Sequence, residues 1–360
     1  MPVRFVAFVI VLVAALAAAA ATLASVHGRV RGARAARHFD DGHQAAARGD
    51  LNAAVAEYRA SLSLDRRNTA AERALALTLQ ALGELPEAES YFVHLLQEDP
   101  TSGPLNRGLA RIYAAQGRTA AARASYQRAI YGEWPESSTG RLETRLELVD
   151  YLRSVGANDE ILPELLRLKT EVPAGATETV RRVADSLIQE NAVETGMELM
   201  RAASAVAPRD VELLAHLAGV EARAGRTADA RATLARAVLI DPRREDLRAR
   251  LSIVERVLAL DPTMPRLRIV ARTRRAHDLL TAVLQQTSGC EAGDPLPALR
   301  TEAGRRVNRA PGADARIAEQ QLGLASRIWQ ASSECHASTG EAAAIDQVLQ
   351  RVRGAEDARQ

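Results

Sequence analysis

Between about residues 35 and 244 the chain repeats one pattern of small and large apolar positions six times. Five places after each of Gly49, Gly83, Gly117, Gly156, Asn191 and Gly225 stands a small or branched residue: Ala54, Ala88, Ala122, Ile161, Gly196 and Ala230. Four places further on comes a larger apolar one: Tyr58, Phe92, Tyr126, Leu165, Met200 and Leu234. Seven places before each turn residue sits Gly42, Ala76, Ala110, Val149, Ala184 or Ala218. The turn residues are spaced 34, 34, 39, 35 and 34 apart, and a period of that length predicts stacked helix–turn–helix units. Pro100, Pro173, Pro208 and Pro242 close four of the six units, where a residue that cannot continue a helix ends one unit and starts the next.

Each residue type has a physical reason. Small side chains on facing helices allow close approach. Glycine or asparagine at the turn supplies left-handed backbone geometry, and the aromatic or leucine of the second helix fills the space between units. No unit buries its apolar face alone, so the units must stack.

Two other apolar patterns flank the repeats. From Phe5 to Val26 the chain carries no charge, and about 20 helical residues at ~1.5 Å each cross a hydrocarbon layer. This predicts a transmembrane helix within residues 1–27, followed by a basic linker at 28–34. The alternative is a cleaved export signal with Arg4 as its charged start, Phe5–Leu16 as its apolar centre and small residues around Ala19–Ala21; the retained anchor is the reading taken here. Arg29, Arg31, Arg34 and Arg37 follow the span and place the soluble part on the cytoplasmic face. Cys290 and Cys335 weigh the other way, toward a periplasmic or otherwise oxidising side, if they are bonded; reduced thiols packed as small apolar groups are the alternative.

After the repeats, Leu247, Leu251, Val254 and Leu258 form one stripe and Asp261-Pro262 stops it, predicting a helix that caps the sixth unit within 245–262. A helical region follows over 263–360. Its first predicted helix, 266–286, has Leu267, Val270, Leu279, Leu280, Val283 and Leu284 to bury, and Arg266, Arg268, Arg272, Arg274 and Arg275 on the polar side. Further helices are expected near 298–307, 314–333 and 340–353, with Ser288–Pro297 and Ala310-Pro311-Gly312 as loops.

The repeated pattern resembles the tetratricopeptide repeat (TPR), with units at 35–68, 69–102, 103–136, 142–175, 177–210 and 211–244. The second, third and sixth units carry the resemblance best, through Gly83, Ala88, Phe92 and Pro100, then Ala110, Tyr113, Gly117, Ala122 and Tyr126, then Ala218, Gly225, Ala230 and Pro242. The first unit has Arg66 in place of the closing proline, and the fourth and fifth depart at Ile161, Asn191 and Gly196. The resemblance implies an all-α chain built on a right-handed solenoid of about six helix pairs. It also implies a concave side lined by the second, fifth, ninth and twelfth positions of each first helix. Those positions bring Arg73, Leu77 and Gln80 from the second unit, Arg107 and Arg111 from the third, Asp150 and Arg153 from the fourth, and Arg181 from the fifth. Arginine's planar fork suits carboxylates, so an acidic peptide is the expected ligand. The lysines and asparagines of the family's chaperone-tail clamp are missing.

Composition narrows the functions. The formal net charge is +2 and aromatic residues make up 3% of the chain, which leaves little for base stacking and argues against nucleic acid. Lys169 is the sole lysine and follows no glycine-rich loop, and neither Gly-x-Ser-x-Gly nor His-Glu-x-x-His occurs. The seven histidines share no metal-ligand spacing. The layout is similar to that of TPR membrane proteins that regulate lipopolysaccharide assembly, but those end in paired Cys-x-x-Cys, and two isolated cysteines imply no metal here. The expectation is therefore a membrane-tethered scaffold that binds a protein through its groove, in the assembly or regulation of an envelope complex, without catalysis or cofactor. An exported binding protein is the alternative. An enzyme in 263–360, drawing on Glu302, Glu319, Glu334 and His336, is the remoter one.

Overall fold

The computed structural model describes residues 2–135, 139–291, 293–309, 311, 314–336 and 340–357, with side chains of the first helix described at 8, 16 and from 20 onward. Helices account for nearly all regular structure among these residues. They fall into two compact units, the first ending at Glu171 and the second beginning at Val172. The boundary falls between the fourth and fifth of the expected helix pairs, within the stretch read as one array.

The first unit holds α1 (Pro2–Ala47), α2 (Leu51–Leu64), α3 (Thr69–Leu82), α4 (Leu85–Glu98), α5 (Gly103–Ala115), α6 (Thr119–Tyr131), α7 (Gly140–Ser154) and α8 (Ile161–Glu171). Residues 28–34, expected as a linker, are the middle of α1. Gly28 and Gly32 do not break the helix among good helix formers. The backbone of the expected membrane span is helical within α1, while most of its side chains lie outside the described residues. Among those described, no helix is long and apolar enough to cross a membrane.

The turns explain the repeat. Gly49, Gly83, Gly117, Gly156, Asn191 and Gly225 all have positive φ, between 61° and 83°. At Gly83 the amide donates back to Gln80 O and Leu79 O, closing α3 in the left-handed conformation that a Cβ disfavours. Asn191 takes the same geometry at φ 61°, and asparagine is the residue that best tolerates it after glycine. Where the first unit lacks its proline, Asp65 accepts from Arg67 N at 3.1 Å and Asn68 caps α3 by accepting from Ala71 N at 3.0 Å. The core of this region is the buried set Ala54, Tyr58, Leu75, Ala76, Ala88, Phe92, Leu105 and Leu109. Ala54, Tyr58, Ala76, Ala88 and Phe92 among them are the small and large positions of the repeat.

The second unit holds α9 (Thr177–Gln189), α10 (Val193–Val206), α11 (Val211–Arg223), α12 (Thr227–Ile240), α13 (Glu245–Leu260), α14 (Ile269–Gln286), α15 (Leu296–Val307), α16 (Ala315–Ala331) and α17 (Gly340–Asp357). Gly196 stands where most units have alanine because α9 and α10 cross closely. A Cβ there would lie 2.9 Å from the backbone oxygen of Ala184. The predicted capping helix α13 does more than end the repeats. Leu247 and Val254 pack with Leu214, Ala218 and Leu234, while Val257 and Leu260 join Leu279, Val283, Leu322, Ile328 and Leu349 in a second core. Cys290 belongs to that core and is joined by a disulfide to the exposed Cys335, with Cα atoms 5.7 Å apart.

Candidate functional site

The buried residues of α3 are Ala71, Glu72, Leu75, Ala76, Thr78 and Leu79. Helical periodicity leaves Arg73, Leu77 and Gln80 on another face. Arg73 is exposed and has no ion pair or hydrogen bond among the described residues. Leu77 is 47% exposed although it is a large apolar side chain. The two line a cleft of about 480 Å³ whose floor is Phe39, His43 and Tyr58.

That floor is an aromatic cluster built by α1 and α2. Phe39 meets His43 edge-on with ring centroids 4.5 Å apart, and His43 meets Tyr58 at 5.6 Å. The Tyr58 hydroxyl lies 3.3 Å from His43 Nδ1, and burial raises the phenol above its ordinary pKa. Gly42 makes the arrangement possible, since a Cβ there would come within 2.6 Å of the Tyr58 ring.

The other expected groove residues are engaged. Gln80 Nε2 donates to Gly108 O at 2.9 Å, which ties α3 to α5. Arg107 Nε lies 3.1 Å from both carboxylate oxygens of Glu147, and its Nη1 is 3.2 Å from Glu143. Arg111 Nε donates to the same Glu147 at 3.0 Å. Burial alone would raise the Glu147 pKa, but the hydrogen bonds and charges of Arg107 and Arg111 more than reverse this, and the carboxyl is held below its ordinary value. The stretch expected to offer free arginines is thus electrically balanced: two guanidiniums face two carboxylates. Arg153 pairs with Asp150 at 3.2 Å on the same helix. Arg181, in the second unit, pairs with Glu178.

Sequence reasoning placed Asp150 beside Arg153 in the groove but missed that Glu147 takes both Arg107 and Arg111. Arg59–Glu87, Arg118–Glu89, Arg123–Glu160, Arg226–Glu194 and Arg244–Glu212 likewise join residues about one repeat apart. Arginine and glutamate recurring at roughly the repeat spacing was the available signal. It also missed Arg145, whose side chain is 2% exposed and reaches Glu164 at 2.5 Å and Glu171 at 2.9 Å.

Chemistry beyond binding has little to build on. His38, Asp41 and Glu57 bring three potential ligand atoms within 4.8 Å of one another. His38 Nδ1 is 2.7 Å from Glu57 Oε2, so a hydrogen bond already joins two of the three. Of the tail residues, Glu302 pairs with Arg306 at 3.0 Å. His336 stacks on Trp329 with centroids 3.5 Å apart, and its Nε2 is 2.8 Å from Ser332 Oγ. That hydroxyl also lies 2.7 Å from Ile328 O, a backbone acceptor that competes with the imidazole for its proton. A nucleophile would need that proton directed at the imidazole.

Residues 83–131 match the family of the tetratricopeptide repeat. No curated protein matches the chain. Among solved structures, the chain is similar to YrrB, described as a TPR protein with an unusual peptide-binding site, at 16% identity over 53% of this chain and 95% of that one, with a TM-score of 0.36. It is also similar to PilW, described as a type IV pilus biogenesis factor, at 16% identity over 60% and 98% with a TM-score of 0.39. A tetratricopeptide repeat protein from Parabacteroides merdae aligns at 15% identity over 82% and 99%, TM-score 0.37. The family match spans α4 to α6, and the stretch that gives it carries Gly83, Ala88, Phe92, Gly117, Ala122 and Tyr126.

Proposed function

We propose that the chain is a non-catalytic scaffold that holds a polypeptide partner against the first-helix faces of its repeats. The single observation that carries this is the α1–α3 cleft: an aromatic floor, an exposed Leu77 and an unpaired Arg73 side by side. A mostly apolar recess with one convergent charge suits a peptide segment that pairs an apolar or aromatic side chain with a carboxylate. The acidic character of the ligand rests on Arg73, because Arg107 and Arg111 are already neutralised by Glu143 and Glu147.

The same reading keeps the scaffold at a membrane. Phe8, Leu16, Leu23 and Val26 are exposed on α1, and an uncharged apolar stretch such as Phe5–Val26 is stabilised by lipid. On sidedness, the arginines after the apolar stretch favour the cytoplasmic face, whereas the Cys290–Cys335 disulfide favours an oxidising compartment. The disulfide weighs more, since a bonded pair forms and persists in an oxidising compartment. An anchored scaffold there fits the assembly or regulation of an envelope complex.

The test is cross-linking of the full-length chain in its native membrane, followed by identification of what is captured. Arg73→Glu and Leu77→Glu should each reduce capture of the principal partner about tenfold or more. Equal capture by both variants overturns the cleft as the binding surface. For the anchor, alkaline carbonate should leave the chain in the membrane fraction, and its release by carbonate would refute the tether.

A further inference from the structure

In the second unit, Arg181, Arg223, Arg244 and Arg250 surround a polar recess of about 300 Å³ formed by α9, α11 and α13. Two of the four are satisfied. Arg244 reaches Glu212 at 2.5 Å and Asp246 at 2.8 Å, and Arg181 holds Glu178. The Asp185 carboxylate is taken by His216 Nε2 at 2.6 Å. Arg223 has no hydrogen bond or ion pair among the described residues. Arg250 donates from Nη2 to Ala215 O at 2.8 Å.

Gly219 leaves room for the Arg250 tip beside that of Arg223. It lies within α11, where a helix interior disfavours glycine. A Cβ at that point would sit 3.0 Å from Arg250 Nη2 and 3.6 Å from Arg223 Nη1. Two cations therefore converge over one bare stretch of helix. The Arg250 guanidinium is pushed below its ordinary pKa by burial first; the charge of Asp246 acts next and raises it, and those of Arg223 and Arg244 lower it. An anion accepting from both groups would relieve the repulsion.

We propose that Arg223 and Arg250, converging over Gly219, form a binding site for an oxyanion, either a carboxylate of a bound acidic peptide or a free phosphate. Both groups offer the lone-pair geometry that guanidinium forks match. Glu212, Ala215 and Gly219 occupy the second, fifth and ninth positions of α11, the groove-facing places of a first helix. The peptide source rests on the reading that such faces receive a polypeptide; the anion chemistry stands without it.

The full-length chain is titrated at low ionic strength with inorganic phosphate and, separately, with a short glutamate peptide. Wild type should bind at least one probe, and Arg223→Gln and Arg250→Gln should each weaken that binding about tenfold. Gly219→Ala is the discriminating variant. It should weaken binding similarly while its melting temperature stays at or above that of wild type, because alanine is the better helix former and the displaced Arg250 tip is flexible. Arg327→Gln, on the exposed side of α16, should change nothing. Binding of the peptide alone identifies a carboxylate site, and binding of phosphate alone a free-anion site. The proposal is overturned if neither probe binds wild type, or if Gly219→Ala and Arg223→Gln bind as wild type does. Retained probe binding in those variants, with partner capture still lost in Leu77→Glu, would remove this site and leave the cleft reading standing.

Discussion

Arg107 on α5 and Glu147 on α7 meet as a two-oxygen pair, with Arg107 Nε 3.1 Å from each carboxylate oxygen. Forty residues of sequence separate them, and Arg111 shares the same acceptor. Because Arg107 is largely buried at 16% side-chain exposure, this pair lies on a different scale from surface ion pairs, which contribute about 0–1 kcal/mol.

Glu147→Gln should lower stability at neutral pH by about 1.5–3 kcal/mol, the range for hydrogen bonds to charged groups. The pH dependence follows from the depressed carboxyl. A folded-state pKa below the ordinary value near 4.5 means that the unfolded chain binds the proton more readily. The stabilisation is complete above that ordinary value and is lost as pH falls through the lower folded value. Urea titrations at a series of pH values should show wild type and Glu147→Gln converging in acid. A constant gap would show that the charge of Glu147 plays no part.

Arg145 supplies a second test. Its guanidinium is buried between Glu164 and Glu171, so Arg145→Ala removes one of the two cationic partners of the buried Glu164, leaving Arg167 at 2.8 Å, and should cost about 1.5–3 kcal/mol. Replacing both members, as Arg145→Met with Glu164→Met, should recover much of that loss. A double variant as unstable as the sum of the two single ones would mean that the pair has no coupling.

Gly196→Ala should destabilise by about 1–3 kcal/mol through overpacking. The added methyl meets a backbone oxygen at 2.9 Å, Ala184 O, which cannot swing aside. Gly219→Ala meets only a side-chain tip, so the two substitutions should move the melting temperature in opposite directions. Calorimetry of the two variants decides this, and a loss of equal size in both would contradict it.

These glycines show what was legible. Gly83 and its counterparts announce themselves because one backbone geometry excludes most other residues, and Ala76 and Ala88 because close helices exclude bulk. The stripes of α13 and α14 were readable from apolar spacing alone. The departure at Gly196 was visible, but its cause was not, since the crossing distance of one helix pair has no local signature. The Arg107–Glu147 pair was hidden because both residues are ordinary surface types far apart in sequence. The cleft floor was hidden because Phe39 and His43 lie on a helix whose upstream half is read for membrane insertion. The continuity of α1 through 28–34 followed from helix propensity, against a reading that placed a linker where the arginines cluster.

The cystine closes a loop across 45 residues. Chain entropy puts its contribution at about 4 kcal/mol. Cys290→Ser with Cys335→Ser should lower the melting of the second unit and leave the first unchanged, as followed by hydrogen exchange. Equal loss in both units would contradict the division at Glu171.

The most direct test of the scaffold reading is site-specific photo-cross-linking from two positions of the first unit in native membranes. One photoreactive residue replaces Leu77 in the α3 cleft. The other replaces Val93, which is 40% exposed on the second helix of the same pair. The account predicts a discrete cross-linked polypeptide from position 77 and little from position 93. A partner captured equally from both positions, or from 93 alone, would contradict it.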